Sequence, residues 1–521
     1  MKLVKSIATV GGYTIGSRAV GFLREVLTAS FLGAGPAADA LVVAIKLPSF
    51  FRRLFAEGAF NAAFVPIFVG ILATDGEASA RSFAEKILTL LTSALLLLVI
   101  VVELFLPTVL PVLVPGFAHT PERLQYTIEF TRITFPFIFF ISLTALYSGV
   151  LNSLDKFAAA ASSPMAGNLA IIAVVLSMHD AFHSPGNAFA LGITACGILQ
   201  LLWVIIPTWK SGMRLALRKP TLSPPVRKFF CVVGPAAMGS GVVQINLFIG
   251  AFIASWLPTG AISYMNYADR LNQLPLSVVG VAVSTALLPL LSRQIRQGNK
   301  DGATFSQNTA LEFSLFLVLP AMTGLICMAP ALIQMVFERG AFTPEDTAAT
   351  SMTLQAFAIG LPAYVMIKVF SSSFFARQDT VPPIKTAAVG ILVDIGLSIV
   401  LMQYFAQVGI ALATAAAAWV NVILLAAILW KKGHLQINTA LKQFFPRITA
   451  CCAVMALILM AIQWQIREAM TNFGPFTHTV VTITLVTLGM GIFVVAAHLT
   501  GAMRFDHIRN LYKGRAIPAT T

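Results

Sequence analysis

Arginine stays charged when desolvated and presents a planar fork of donors that matches phosphate or carboxylate oxygens. In this sequence Arg18, Arg24, Arg52 and Arg270 fall inside long apolar runs, with Lys46, Arg53 and Lys368 in similar surroundings. A charge at mid-bilayer costs about 2.5–3.5 kcal/mol on insertion scales, so such a group is expected to face a wet cavity or paired partners. Carboxylates accompany the cations. Asp39, Lys46 and Arg53 recur at heptad spacing, Glu57 lies one turn beyond Arg53, and Asp269 precedes Arg270. Arg53 with Glu57, and Arg24 with Glu25, read equally well as structural ion pairs. Asp39 falls in a first helical turn, where the helix dipole favours a carboxylate. Arg18, Arg52 and Arg270 have no carboxylate three or four residues away in their own helix. Those three are the residues expected to bind an anionic ligand, unless Asp39 or Asp269 reaches one of them from another helix. Lys86 and Arg132 lie near span ends, where long side chains snorkel to the interface. Asp394, with Asn246 and Gln244, suits either a monovalent cation or an interhelical hydrogen bond.

The elements that hold these residues follow from composition. Hydrophobic residues make up 57% of 521 positions, charged residues 11%, and the mean hydropathy is +0.84. A water-soluble surface cannot be built over so much apolar chain, and the fold class is an all-α polytopic membrane protein. Apolar stretches of roughly 20 residues recur from end to end, about fourteen in all, each long enough to cross a bilayer as a helix. The first begins after Lys2 and Lys5, runs longer than a signal-peptide core, and is expected to stay as span one. Lys and Arg crowd the loops of one side, leaving Arg123, Arg339 and Arg467 on the other, so both termini are expected to be cytoplasmic. Pro48 and Pro275 interrupt helices beside the charges and free backbone groups that only a cavity or a neighbouring helix can satisfy. The five cysteines sit in apolar segments without metal spacing, and no glycine-rich nucleotide loop is present.

The chain also repeats itself at a constant offset of 223. Gly11 pairs with Gly234, Gly16-Ser17 with Gly239-Ser240, Pro66 with Pro289, Pro107 with Pro330, and Thr120-Pro121-Glu122 recurs as Thr343-Pro344-Glu345. Six spans separate the copies, an even number, so the repeat is parallel. The expected architecture is two six-helix lobes, residues 1–220 and 221–435, around a central cavity. Two further spans occupy 436–505, and a cytoplasmic tail occupies 506–521.

The stretch Gly16-Ser17-Arg18-Ala19-Val20-Gly21-Phe22-Leu23-Arg24-Glu25, then Asp39-Ala40, then Leu47-Pro48-Ser49-Phe50-Phe51-Arg52-Arg53-Leu54-Phe55-Ala56-Glu57-Gly58-Ala59-Phe60, resembles the MurJ (MviN) lipid II flippases. These are a branch of the multidrug/oligosaccharidyl-lipid/polysaccharide exporter superfamily. The resemblance covers essentially the whole length. It implies a transporter in the bacterial inner membrane, not an enzyme, that moves lipid-linked peptidoglycan precursor from the cytoplasmic to the periplasmic leaflet by alternating access. It also implies that the last two spans form a groove for the polyprenyl tail. By motif, Arg18, Arg24, Arg52 and Arg270 would bind the diphosphate or peptide carboxylates. Ser17, Asp39, Lys46, Arg53, Glu57, Asp269 and Lys368 would support the cavity or the conformational cycle. Some relatives hold sodium between spans seven and eleven or twelve; this chain offers Asp394 with an amide, Asn246, in place of a carboxylate, so a monovalent cation and the membrane potential both stand as driving terms, with no other cofactor. The implied partners are lipid II, membrane lipids and cell-wall synthesis proteins, with no nucleic acid. Two other classes compete. One is a superfamily exporter of drugs or of another polyprenyl-linked glycan, although drug exporters handle organic cations and these arginines suit an anion. The other is a membrane enzyme on polyprenyl diphosphates, which would need paired acid/base groups beside the head group.

Overall fold

The computed structural model describes residues 2–55, 59–219, 221–471 and 474–502, with the side chains of all of these except 2–8, 54–55, 59, 62, 235–247, 278, 281–286 and 467–471. Among the described residues every regular element is helical: α1 (Lys2–Leu32), α2 (Pro36–Phe55), α3 (Ala59–Leu113), α4 (Pro121–Thr134), α5 (Phe137–Ser153), α6 (Phe157–Met178), α7 (Pro185–Lys210), α8 (Pro224–Ser255), α9 (Ala261–Arg296), α10 (Lys300–Phe337), α11 (Pro344–Ile359), α12 (Leu361–Ala376), α13 (Val381–Lys431), α14 (Thr439–Thr471) and α15 (Pro475–Leu499). Prolines set many of the starts. Pro36, Pro121, Pro185, Pro224, Pro344 and Pro475 are each the first residue of their helix, where a missing N–H costs nothing and the fixed φ suits the helix. Ser184 and Asn299 add side-chain caps, accepting from Gly186 N and Gly302 N.

Among the described residues nine helical stretches are long and apolar enough to cross a membrane. The chain is therefore a multi-pass membrane protein. Two of the nine, Ala63–Leu113 and Val381–Lys431, fold back on themselves at a single non-helical residue. In α13 the break is Ala406, at φ 47°, ψ −127°. Across it Thr414 Oγ1 donates to Asp394, and a Cβ on Gly409 would lie 2.3 Å from the Leu401 carbonyl oxygen. Each step forward on one arm meets a step back on the other, so the arms form an antiparallel hairpin. In α3 the break is Gly76, at φ 80°, and the Phe64 and Phe83 rings stack across it with centroids 5.6 Å apart. Helices α1, α2 and α9, which carry the arginines, fall outside the set of nine.

The described chain forms two compact units. The first runs to Ser263 and includes Arg339–Thr343; the second runs from Tyr264 to Glu338 and continues from Pro344. In the first, α1 packs on α6, α2 on α4, α3 on α5 and α8, and α7 on α4, α5 and α6. In the second, α10 lies against α11, α12, α14 and α15, with α13 against α11 and α12.

The sequence repeat is carried into the helices. Pro121, which opens α4, and Pro344, which opens α11, stand 223 residues apart, and the break between α4 and α5 is matched by that between α11 and α12. Helix α6 corresponds to the first arm of α13, and α7 to the second. The segment after each copy docks the same way. Arg218 N donates to Thr89 Oγ1 and Ala216 N to Glu85, while Asn308, the counterpart of Glu85, donates to the Gln436 carbonyl.

Candidate functional site

Asp39 lies in the first turn of α2, where its carboxylate is favoured, but the structure gives it a larger task. It is wholly buried, and both oxygens are fully used. Oδ2 accepts from Arg123 Nη2 at 2.9 Å and from Gly260 N at 2.7 Å; Oδ1 accepts from Ser263 N at 2.9 Å and Ser263 Oγ at 2.7 Å. Asp39 thus caps the N-terminus of α9 from the side. Arg123 is 2% exposed, donates also to the Leu257 carbonyl at 3.1 Å, and rests over the Phe117 ring at 4.1 Å. The sequence reading counted Arg123 with the far-side loops. In the structure it lies in no loop: it is a buried residue in the first turn of α4 and the ionic partner of Asp39.

Two further fastenings lie at the same helix ends of the first unit. Gly116 N donates to Ser255 Oγ at 3.1 Å. Ala341 N donates to the Ser30 carbonyl at 2.8 Å, at a contact that glycine makes possible from both sides. Gly33 and Gly340 both have positive φ, at 57° and 62°. A Cβ on Gly33 would stand 2.3 Å from the Ala341 carbonyl oxygen, and one on Gly340 would stand 2.2 Å from that of Ser30.

The arginines of α1 and α2 occupy a different part of the first unit. Arg24 is half-buried, paired to Glu25 at 2.5 Å and donating to Asn168 Oδ1 of α6 at 3.0 Å. The amide nitrogen of Asn168 is spent on the Pro164 carbonyl, which turns its oxygen toward the guanidinium. The Cys196 thiol of α7 feels the charges of both Arg24 and Arg52, so those two guanidiniums share one neighbourhood. Arg18 and Arg53 are exposed, and Ser17, Lys46 and Arg52 are half-buried. Glu57 lies outside the described residues. Asn168 was not singled out from the sequence, because an amide 144 residues from Arg24 gives no local signal.

In the second unit Asp269 and Arg270 sit side by side on α9, both half-buried, and Gln273 donates to Asp269. Tyr364 of α12 lies within electrostatic range of Asp269 and Asp394. Asp394 accepts from Thr414 Oγ1 at 3.1 Å and bonds Ser398 one turn on. The side chains of Asn246 and Gln244 lie outside those described. The Lys368 ammonium occupies the space that Gly280 leaves in α9: a Cβ there would lie 2.2 Å from Nζ. A residue with any side chain at 280 would displace it.

Chemically, the first unit offers fixed guanidinium donors, one of them oriented by a carboxylate and an amide. That arrangement suits anion binding by charge-assisted hydrogen bonds.

Comparison with known proteins agrees with this chemistry. A probable lipid II flippase MurJ of Rhizobium meliloti (strain 1021) is 41% identical over 520 residues, covering 98% of this chain and 97% of that protein. A solved structure of lipid II flippase MurJ in an inward closed conformation matches with a TM-score of 0.75 at 26% identity, covering 94% of this chain and 98% of that one. An inward-facing multidrug resistance MATE family transporter of the MOP superfamily shares the fold, with a TM-score of 0.66 at 14% identity over 82% of this chain and 96% of that one. Residues 28–484 match the family described as lipid II flippase MurJ, and the chain belongs to that family.

Proposed function

We propose that this protein flips lipid II across the bacterial inner membrane, carrying the polar head group from the cytoplasmic to the periplasmic leaflet while the polyprenyl tail stays in lipid. The observation that carries this reading is the likeness to lipid II flippases over nearly the whole length of both chains. The chemistry is concordant. A diphosphate brings negative charge that arginines can offset, and a cation-exporting relative would need the opposite polarity. In this reading Arg18, Arg24, Arg52 and Arg270 contact the diphosphate or the peptide carboxylates. Glu25 and Asn168 hold Arg24 at the angle the ligand requires, since an arginine fork is useful only when pre-oriented.

The chain is read as crossing the membrane fourteen times with both termini cytoplasmic, which puts the Asp39–Arg123 fastening at the periplasmic end. There it serves as a latch of the alternating cycle, closed while the head group enters from the cytoplasm. The membrane potential supplies the driving term, because Asp394 is already supplied with hydroxyl donors from Thr414 and Ser398.

Flipping in vesicles reconstituted with the purified protein and labelled lipid II tests the reading. Arg18→Ala, Arg24→Ala and Arg270→Ala should each lower the initial rate at least tenfold without changing the amount of protein inserted. Exchange of sodium for potassium at fixed potential should leave the rate unchanged. Full activity of all three variants would remove the arginine mechanism, and transport of an organic cation but not of lipid II would remove the substrate.

A further inference from the structure

Helix α4 buries one face, Arg123, Thr127, Phe130, Thr131 and Thr134, and leaves the opposite face uncovered. Along that open face runs a groove of about 670 Å³, lined by Leu124, Gln125, Ile128, Glu129, Arg132 and Ile133 among others, all in the first unit. Its volume is in the range of small-ligand sites, roughly 300–1,000 Å³. Arg132 is exposed in it, and among the described residues it makes no hydrogen bond or ion pair. Glu129, three residues earlier, does not pair with it. Its Oε1 accepts from Asn187 Nδ2 at 2.8 Å, which fixes the carboxylate and leaves Oε2 as an acceptor. A carboxyl group stands behind them: Glu103 of α3 lies within electrostatic range of Arg132, and its Oε1 is buried without a hydrogen-bond partner.

The depth of this groove follows from helix geometry. A hydrocarbon core of roughly 30 Å takes about 20 helical residues, so a span ending at Ser153 begins near residue 133. Arg132 therefore stands at the level of the lipid head groups at the far end of that span.

The repeat shows that the fold does not require charge here. In the second unit the positions equivalent to Arg132 and Glu103 are Gln355 and Ile326, and Gln355 Nε2 closes the gap by donating to the Ile326 carbonyl at 2.9 Å. The counterpart of Glu129 is Met352, an exposed apolar residue. One copy joins the two positions by a neutral hydrogen bond; the other places a guanidinium and carboxyl groups there.

We propose that the α4 groove is a binding site for the head group of a zwitterionic phospholipid, with the phosphate on Arg132 and the primary amine on Glu129. The charge count selects the ligand. A lone phosphate diester would meet the fixed Glu129 carboxylate beside the guanidinium, whereas a phosphoethanolamine group answers both signs and places its glycerol along Leu124 and Ile128. This site is separate from the arginines assigned to lipid II, and its test does not depend on flipping.

Native mass spectrometry of the full-length protein, purified in detergent and exposed to equal amounts of phosphatidylethanolamine and phosphatidylglycerol with the same acyl chains, reads the site directly. The wild-type protein should retain one phosphatidylethanolamine in preference to phosphatidylglycerol. Arg132→Gln should lower that retention roughly tenfold, the scale of one charge-assisted phosphate contact. Glu129→Gln, which keeps an acceptor for Asn187, should shift the preference toward phosphatidylglycerol. Equal or better retention of phosphatidylglycerol by the wild-type protein would overturn the proposal, as would unchanged phosphatidylethanolamine retention in Arg132→Gln. If Arg132→Gln does not fold, an unchanged lipid preference in Glu129→Gln overturns it instead.

Discussion

Replacing Asp39 by asparagine tests the latch with the smallest change in shape. The carboxylate accepts four hydrogen bonds, two on each oxygen, all from donors. An asparagine has one acceptor oxygen. Its best orientation keeps that oxygen toward Arg123 Nη2 and Gly260 N and turns the NH2 group toward Ser263. The Ser263 hydroxyl can rotate to accept, but Ser263 N–H then faces another donor, and the buried Arg123 guanidinium loses its counter-charge. Breaking a buried pair from one side costs about 3–5 kcal/mol. At about 1.4 kcal/mol per decade, the segment carrying Gly260 and Ser263 should open about 10²- to 4 × 10³-fold more often. Hydrogen exchange of the peptide spanning residues 257–263 measures this in the intact, detergent-purified protein, with the α6 and α7 peptides as internal controls. Arg123→Met should accelerate the same peptide, and the double variant should be less than additive because each change already removes the shared ion pair. Exchange in Asp39→Asn within about threefold of wild type would refute the latch, since a stability loss that small is no more than about 0.7 kcal/mol.

Three other outcomes follow from single positions. Ala406 holds a backbone conformation that a Cβ disfavours, at a cost of order 1–3 kcal/mol, so Ala406→Gly should stabilise the α13 hairpin and raise Tm by about 1 °C or more; a fall in Tm would contradict the strain. Gly340→Ala must both adopt a positive φ and meet the Ser30 carbonyl oxygen at 2.2 Å, so it should destabilise by about 2 kcal/mol or more and loosen the Ser30 contact, read as faster exchange at Ala341. Gly280→Ala displaces only the flexible end of Lys368; thermal stability should change by no more than about 1 kcal/mol while flipping falls to the rate of Lys368→Met, and a fully active Gly280→Ala beside an impaired Lys368→Met would show that the ammonium is not needed at that place.

The parts of the fold legible in the sequence are those set by local physics. Apolar runs of bilayer length, prolines at helix starts and the constant spacing between copies gave membrane helices, many of their boundaries and the matching helix breaks of the repeat. The hairpin in α13 was legible as two spans, although its turn is an alanine, Ala406, with no glycine or proline to mark it. What could not be read were partnerships across long separations. Asp39 meets Arg123 84 residues away and Ser263 224 residues away, and Arg24 meets Asn168 144 residues away. Local reasoning gave Asp39 a helix-dipole role and Arg123 a place in the loops. The signal for Arg123 was available but weak: a lone cation one turn into α4, on the face that also carries Thr127, Phe130 and Thr134.

The repeat separates what the fold needs from what the function needs. Helix starts and breaks recur in both copies. The charges do not. At an offset of 223 the counterparts of Arg18, Arg24, Arg52 and Arg53 are Gly241, Leu247, Pro275 and Leu276, and that of Asp39 is Ile262. The cation of the second unit, Arg270, matches Leu47 in the first, and Lys46 matches Asp269. If these side chains were needed to pack or orient the helices, the copy built on the same plan would be expected to keep some of them. It keeps none of the arginines and not Asp39; the Lys46 position alone of these stays charged, with the opposite sign. Arginines present in one copy and replaced by glycine, proline or leucine in the other are what the proposed binding of an asymmetric anionic ligand would leave in a duplicated fold. The same logic singles out Arg132, Glu129 and Glu103, and it ranks them above any charged residue whose counterpart keeps its polar contact, such as Glu85 with Asn308.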